Sequence, residues 1–164
     1  MLNDNHTISI LVVNKPGVLM RVAQVFSRRG FNIDSLVVSS GFDNKFARIT
    51  ITAQGNDENL DQIKKQLSKL VDVMHCIEHE GINSIVKEMA LIKVACSVDK
   101  RAEILQVSEH FACKTVDMTR TSMVIQATGN SDKLDALIGQ LSDYKIIELV
   151  RTGKVLMARG EEET

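Results

Sequence analysis

Asn14, Pro16 and Gly17 stand between an alternating apolar run and an amphipathic one, and with Asn32 they are the residues whose types and spacing could do chemistry. Pro16 is the only proline of the chain, so a rigid turn is set at this one junction. Its ring fixes φ near the helical value, and it has no N–H to lose in a first helical turn. Gly17 lets the main chain come close to whatever occupies the junction. A helix starting there presents N–H groups without intrahelical partners, which suit a carboxylate. The amide oxygen of Asn14 can accept from an α-ammonium while the Gly17 and Val18 N–H groups take the carboxylate. Val18, Leu19 and Ile33 then offer apolar contact to a branched side chain. The same residues have a plainer reading, with Asn14 as a helix cap or Asx turn and Asn32 as a turn residue. Spacing alone favours the plainer one.

Other candidates are weaker. His75, Cys76 and His79 have the look of a metal cluster. On a strand, however, His75 and His79 share one face and Cys76 points to the other. Two converging ligands fall short of a zinc set, so solvent-facing histidines and a core cysteine are expected, and no metal. Arg28 and Arg29 precede Gly30, where cations suit the end of a helix. No nucleophile–base pair is visible, and neither GxGxxG nor GxxxxGK[ST] occurs. No catalytic residue is assigned.

Composition narrows the classes further. The 164 residues allow one average domain or two small ones, with 44% hydrophobic residues, no Trp and one Tyr. The core must therefore be aliphatic. A net charge of −1 offers no basic face for nucleic acid. Cys76, Cys96 and Cys113 are widely spaced without a CxxC, the usage of a reducing compartment. No apolar run approaches the roughly 20 residues of a membrane span, and MLNDNHT lacks the regions of a signal peptide. A cytoplasmic location is expected.

The elements that must position these residues repeat. In 7–13, Ile8, Ile10 and Val12 oppose Ser9, Leu11 and Val13, which makes both faces largely apolar. Val18, Val22, Val25 and Phe26 mark a helix over 17–29. Strands follow at 31–40 and 46–53. Asn56 caps a helix striped by Leu60, Ile63, Leu67 and Leu70, and 73–80 is a strand. A second pass finds a strand at 87–97, a helix capped by Asp99, strands at 115–118 and 122–128, a helix capped by Ser131 and a strand at 146–151. Residues 154–158 add an extended piece, and Gly160-Glu161-Glu162-Glu163-Thr164 reads as a frayed acidic tail. The fold class is α+β, two ferredoxin-like βαββαβ units in tandem, 1–80 and 85–160, with the boundary at Gly81–Ser84. The loop after the first strand and the start of the second are expected at one end of the sheet, which would bring Asn14 and Asn32 together.

SILVVNKPGVLMRVAQVFSRRGFNIDSLVV, followed by FARITI and QLSKLVDV, resembles the small regulatory subunits of acetolactate synthase (acetohydroxyacid synthase), whose first domain is an amino-acid-binding ACT domain. The resemblance continues through EMALIKV, KLDALI and IIELVRTGKVLMARG, nearly the whole chain. It implies an effector site at Asn14, Pro16, Gly17, Val18, Leu19, Asn32 and Ile33, a homodimer formed by the first domain, and a separate large catalytic subunit as partner. It implies no cofactor on this chain, with thiamine diphosphate, magnesium and FAD on the catalytic partner. It further implies activation of that partner and feedback inhibition by a branched-chain amino acid, of which valine is favoured because the family most often responds to it. The pocket itself ranks Val, Leu and Ile poorly, since one methylene is worth only about 1–3 kcal/mol. An ACT-type sensor acting on a different biosynthetic enzyme is the alternative.

Two other classes share the βαββαβ plan. RNA-recognition domains stack bases on aromatics in their central strands, whereas TISILVV and FARITIT carry only Phe46, at an edge. A small acyl-phosphate hydrolase needs a loop arginine, and Arg21 lies inside a helix.

Overall fold

Two hydrophobic stripes and one alternating strand build the first unit. The computed structural model describes residues 4–79 and 83–164. Strand β1 (Asp4–Val13) leads to α1 (Val18–Arg28), β2 (Ile33–Ser40), β3 (Phe46–Gly55), α2 (Asp57–Leu67) and β4 (Val73–Glu78). The sheet order is β2-β3-β1-β4 with antiparallel neighbours. Ile8, Ile10 and Val12 of β1 and Ile49 and Ile51 of β3 pack with Val22 and Phe26 of α1 and Leu60, Ile63 and Leu67 of α2. Burying each such side chain contributes roughly 1.5–3 kcal/mol. Helix α1 ends at Gly30, whose φ of 70° lets the Phe31 N–H reach back to the Phe26 carbonyl at 3.1 Å. Helix α2 begins at Asn56, whose side chain accepts from the Asn59 N–H at 3.0 Å.

The second unit repeats the plan with β5 (Ser84–Ala95), α3 (Arg101–His110), β6 (Lys114–Met118), β7 (Ser122–Gly129), α4 (Ser131–Leu141) and β8 (Ile146–Arg151). Its sheet runs β6-β7-β5-β8, and a short β9 (Val155–Ala158) also pairs with β5. Its core is separate: Ile92 and Val94 of β5, Met123 and Ile125 of β7, Ile104 of α3, and Leu134, Leu137 and Leu141 of α4.

Several expectations need correction. The compact units are the residues up to Ile85 together with Gly153–Thr164, and Val86–Thr152. Residues 153–164 therefore belong by their contacts with the first unit, unlike the linear division 1–80 and 85–160. The acidic tail is not frayed: Thr164 is 7% exposed and bonded to Arg48 and His75. The helix-free side of β1 is mixed and not largely apolar, with Thr7 and Ser9 buried there beside half-buried Leu11 and Val13. Helix α3 starts at Lys100 with no side-chain cap, so Asp99 does not cap it. Helix α4 is capped by Asn130 instead of Ser131, since the Asn130 side chain accepts from the Lys133 N–H at 3.1 Å. Met1–Asn3, Glu80 and the expected boundary residues Gly81 and Ile82 lie outside the described residues.

Candidate functional site

Gly17 stands immediately before α1 with φ 83° and ψ −11°, in the left-handed region, and no side chain caps that helix. A Cβ there would find its nearest neighbour, Arg21 Nη1, at 3.9 Å. The constraint on this position is thus backbone conformation, not space. Asn14, Lys15, Pro16 and Gly17 are all exposed. The Val18 N–H points to the Lys15 carbonyl at a long 3.4 Å, so it is partly engaged within the turn.

Neighbouring elements hold this turn in place. The Asn14 N–H donates to the Lys45 carbonyl at 2.8 Å, and its side-chain Nδ2 donates to the Asn44 carbonyl at 3.0 Å. That choice of donor leaves the Asn14 amide oxygen as an acceptor. The Val13 N–H bonds the Asp72 carbonyl at 2.8 Å, while the Asp72 carboxylate pairs with Arg21 of α1. Leu19 and Met20 of α1 are exposed apolar side chains, as are Phe42 and Val71. Val18 is buried in the core and offers no free surface to a ligand. Arg21, Asn44 and Asp72 escaped the reading of the sequence. Only the Gly41-Phe42-Asp43-Asn44 composition signals that a turn is there.

The two asparagines do not meet within one chain. β1 ends at Val13, opposite Phe46, and β2 ends at Ser40, opposite Ala47, so both strands finish at the same end of the sheet. Asn32 precedes β2, whose first residue, Ile33, pairs with Ala53, itself paired with His6. Val13 lies seven positions along the strand from His6, roughly 23 Å at the rise of a β-strand. Asn14, Gly17, Val18 and Leu19 are gathered at one end; Asn32 and Ile33 are at the other. The expected juxtaposition fails because α1 carries the chain back the length of the sheet before β2 begins. Asn32 is exposed and its Nδ2 faces Asp34 Oδ1 at 3.4 Å.

The histidine–cysteine group is split as strand alternation requires. Cys76 sits opposite Ile10 and packs on the core, and burial pushes its thiol up to about 11. His75 lies on the other face and its Nε2 donates to the Thr164 carbonyl at 2.9 Å. His79 has its Nε2 buried without a hydrogen-bond partner, and burial, Arg48 and His75 all lower its pKa. Neither histidine faces open solvent as expected, because Thr164 and its neighbours lie there. Among the described residues no three His, Cys, Asp or Glu side chains are grouped to hold a metal. Arg29 donates to Gln62 of α2, so only Arg28 of that pair is a plain solvated helix end. A cavity of about 690 Å³ between α3 and α4 and another of about 590 Å³ along β4 do not include the glycine turn. No helix among the described residues is long and apolar enough to cross a membrane.

Known proteins share this architecture and sequence. Residues 8–75 match a family described as the AHAS small subunit-like ACT domain, and residues 87–160 match one described as the small subunit of acetolactate synthase. The chain is 44% identical over 158 residues to a probable acetolactate synthase small subunit of Archaeoglobus fulgidus, covering 96% of this chain and 99% of that one. It is likewise 44% identical over 155 residues to the acetolactate synthase small subunit of Mycolicibacterium smegmatis, covering 94% and 91% of the two chains. The crystal structure of the small subunit from Thermotoga maritima superposes with a TM-score of 0.86 at 40% identity, over 97% of this chain and 99% of that chain.

Proposed function

The chain belongs to the family of acetolactate synthase small subunits, and on that premise we propose that it is the non-catalytic regulatory subunit of this enzyme, an amino-acid-responsive module acting on a separate catalytic chain. Its partner is the large subunit, which carries the thiamine diphosphate, magnesium and FAD; this chain carries none of them. The complex works in the cytoplasm. The effector is a branched-chain amino acid, with valine favoured.

One observation carries the effector reading: Gly17 takes up the left-handed conformation at an exposed start of α1 that no side chain caps, beside Asn14, whose Nδ2 is given to Asn44 and whose amide oxygen is left as the acceptor. The first-turn N–H groups suit a carboxylate, and Asn14 suits an ammonium. Since Asn32 and Ile33 stand at the far end of the same sheet, they complete a pocket only if a second copy presents them to the first. The reading therefore requires a homodimer, with the amino acid between two ACT domains. A coupling of about 1–3 kcal/mol between effector and catalytic subunit suffices for feedback.

Calorimetric titration of the full chain with valine, leucine and isoleucine tests this. Asn14→Ala and Asn32→Ala should each weaken binding about tenfold, the cost of one lost polar contact, while the circular dichroism stays unchanged. Unchanged isotherms in both variants would remove the pocket assignment. Adding the chain to the large subunit should raise acetolactate formation; no change in rate would remove the partner assignment.

A further inference from the structure

The helix-free face of the first sheet mixes hydroxyls with the half-buried apolar side chains of Leu11, Val13 and Val37. Thr7, Ser9, Thr50 and Thr52 are buried there beside the half-buried Arg48. Segment Gly153–Thr164 is fastened to this face at both ends. At Gly153, with φ 87°, an added Cβ would meet Ser35 Cβ and Val37 Cγ2 of β2 at 3.0 Å each. At Thr164, the carbonyl accepts from the Arg48 guanidinium and from His75 Nε2, while its hydroxyl accepts from the Ala158 N–H at 2.7 Å. Arg48 also donates to Ser9 Oγ at 3.0 Å. Between the two ends Ala158, Glu162 and Glu163 wall one cavity together with Ile77 and His79 of the β4 region. Val155, Met157 and Glu161 are exposed, and Leu156 between the first two is buried.

This cover differs in kind from the helices on the opposite face. A permanent lid is matched by apolar side chains, as Ile8, Ile10, Ile49 and Ile51 match α1 and α2. Here the covered surface carries Thr7, Ser9, Thr50 and Thr52, and the segment's own buried apolar side chain is Leu156, so uncovering it exposes less apolar area than parting α1 and α2 from the sheet would. Thr52 Oγ1 and His79 Nε2 are buried without hydrogen-bond partners, and each would gain water if the cover lifted. The Arg48 guanidinium is held below its usual pKa by burial, with Glu163 only partly opposing this, so it too is better solvated in the open state.

We propose that Gly153–Thr164 is a reversible strap, clasped by Arg48 and His75 on Thr164, which parts from β5 and lifts from the first unit without unfolding it. The helix-free face of the sheet is then alternately covered and open. In sequence the strap follows β8 directly. The proposal goes beyond the regulatory reading and stands whether or not the chain binds an amino acid.

Hydrogen–deuterium exchange on the full chain, with limited trypsin cleavage at Arg159, tests it. Arg48→Ala should speed exchange of the Val155–Ala158 amides and cleavage after Arg159 about tenfold, the worth of one charge-assisted hydrogen bond, with α1 and α2 amides as protected as before. Gly153→Ala, which leaves the clasp intact and acts at the other end, should do the same. Strap amides that stay unchanged in both variants would show that these contacts do not hold it. Equal loss of protection in the strap, α1 and α2 would show that the segment is integral to the fold. Either result overturns the proposal.

Discussion

The two units share one topology and differ where the first helix of each begins. In the first, Pro16 and the left-handed Gly17 make an exposed turn into α1. In the second, the chain from Ala95 to Lys100 has neither glycine nor proline, and Lys100 enters α3 with an ordinary φ of −89°. Cys96 is buried there, with its N–H on the Thr121 carbonyl at 2.9 Å. The helix-free faces differ as well. In the first unit Ser9, Thr50 and Thr52 are buried, whereas in the second Leu91, Val150 and the Lys93–Glu148 ion pair remain exposed or half-exposed. Strand order and aliphatic stripes suffice to repeat a fold. A site needs a departure from them, and only the first unit has it at this junction.

The largest expected effect tests whether the two cores are energetically separate. Phe26→Ala and Leu137→Ala each empty a fully buried position, in the first and second core respectively. Each should cost about 3–5 kcal/mol, and amide exchange should report the loss only in the mutated unit. If either variant loosened both units equally, the contrast between them would be one of surface only.

Next come the two ion-pair networks. In the second unit Arg151 donates to buried Glu88 through Nε at 3.1 Å and Nη2 at 2.5 Å, and the pairing raises the arginine's pKa. Glu88→Gln should cost about 2–3 kcal/mol in a denaturant titration, because it weakens a two-pronged charged contact. In the first unit Glu78 accepts from Lys64 at 2.8 Å and pairs with His6 at 2.7 Å. Burial pushes the Glu78 carboxyl up, but Lys64 and His6 outweigh it and leave it below the ordinary 4.5. A folded pKa below the unfolded one means stability that is present above about pH 4.5 and lost as the pH falls through the lower value. Glu78→Gln should therefore remove about 1–2 kcal/mol at neutral pH and flatten the acid limb of the stability curve. An unchanged acid limb would show that another carboxylate sets it.

Gly17 and Lys100 hold matching places before the first helix of each unit. Gly17→Ala should cost about 1–2 kcal/mol for the left-handed conformation, whereas Lys100→Ala at the matching place should change stability by less than about 0.5 kcal/mol. Gly17→Asp adds a carboxylate where the ligand's own should sit, so feedback inhibition should disappear while activation of the catalytic subunit survives. Loss of both activities together would mean that effector site and activation are not separable.

The smallest effect should be equal in the two halves. Asn56 and Asn130 cap α2 and α4 through the same contact, at 3.0 and 3.1 Å. Each alanine variant should lower stability by about 1 kcal/mol in thermal unfolding. A marked inequality would show that the cap's surroundings, not the cap, set its worth.

Much of this was legible in the residues. Val22, Phe26, Leu60, Ile63 and Leu67 recur at helical spacing and are the residues the helices bury. Asn56 before Asp57 and Glu58 marks its cap correctly, while Ser131 misleads by one position because Asn130 is an equally good capping type. Pro16-Gly17 marks the turn, since few residues accept both the fixed φ and the left-handed one. What holds that turn was not legible. The Asn44 carbonyl on Asn14 and the Asp72 carboxylate on Arg21 come from loops far along the chain and carry no local pattern.

The residues alone set the elements, the duplication and the Pro16-Gly17 turn, because periodicity, caps and φ preferences act over a few residues. Tertiary structure alone decided that Asn14 and Asn32 stand at opposite ends of a sheet, because the register through β3 sets where each strand begins. It alone decided that an acidic tail belongs to the first unit, because the hydroxyls, Arg48 and His75 that receive it are brought to one face only by strand pairing.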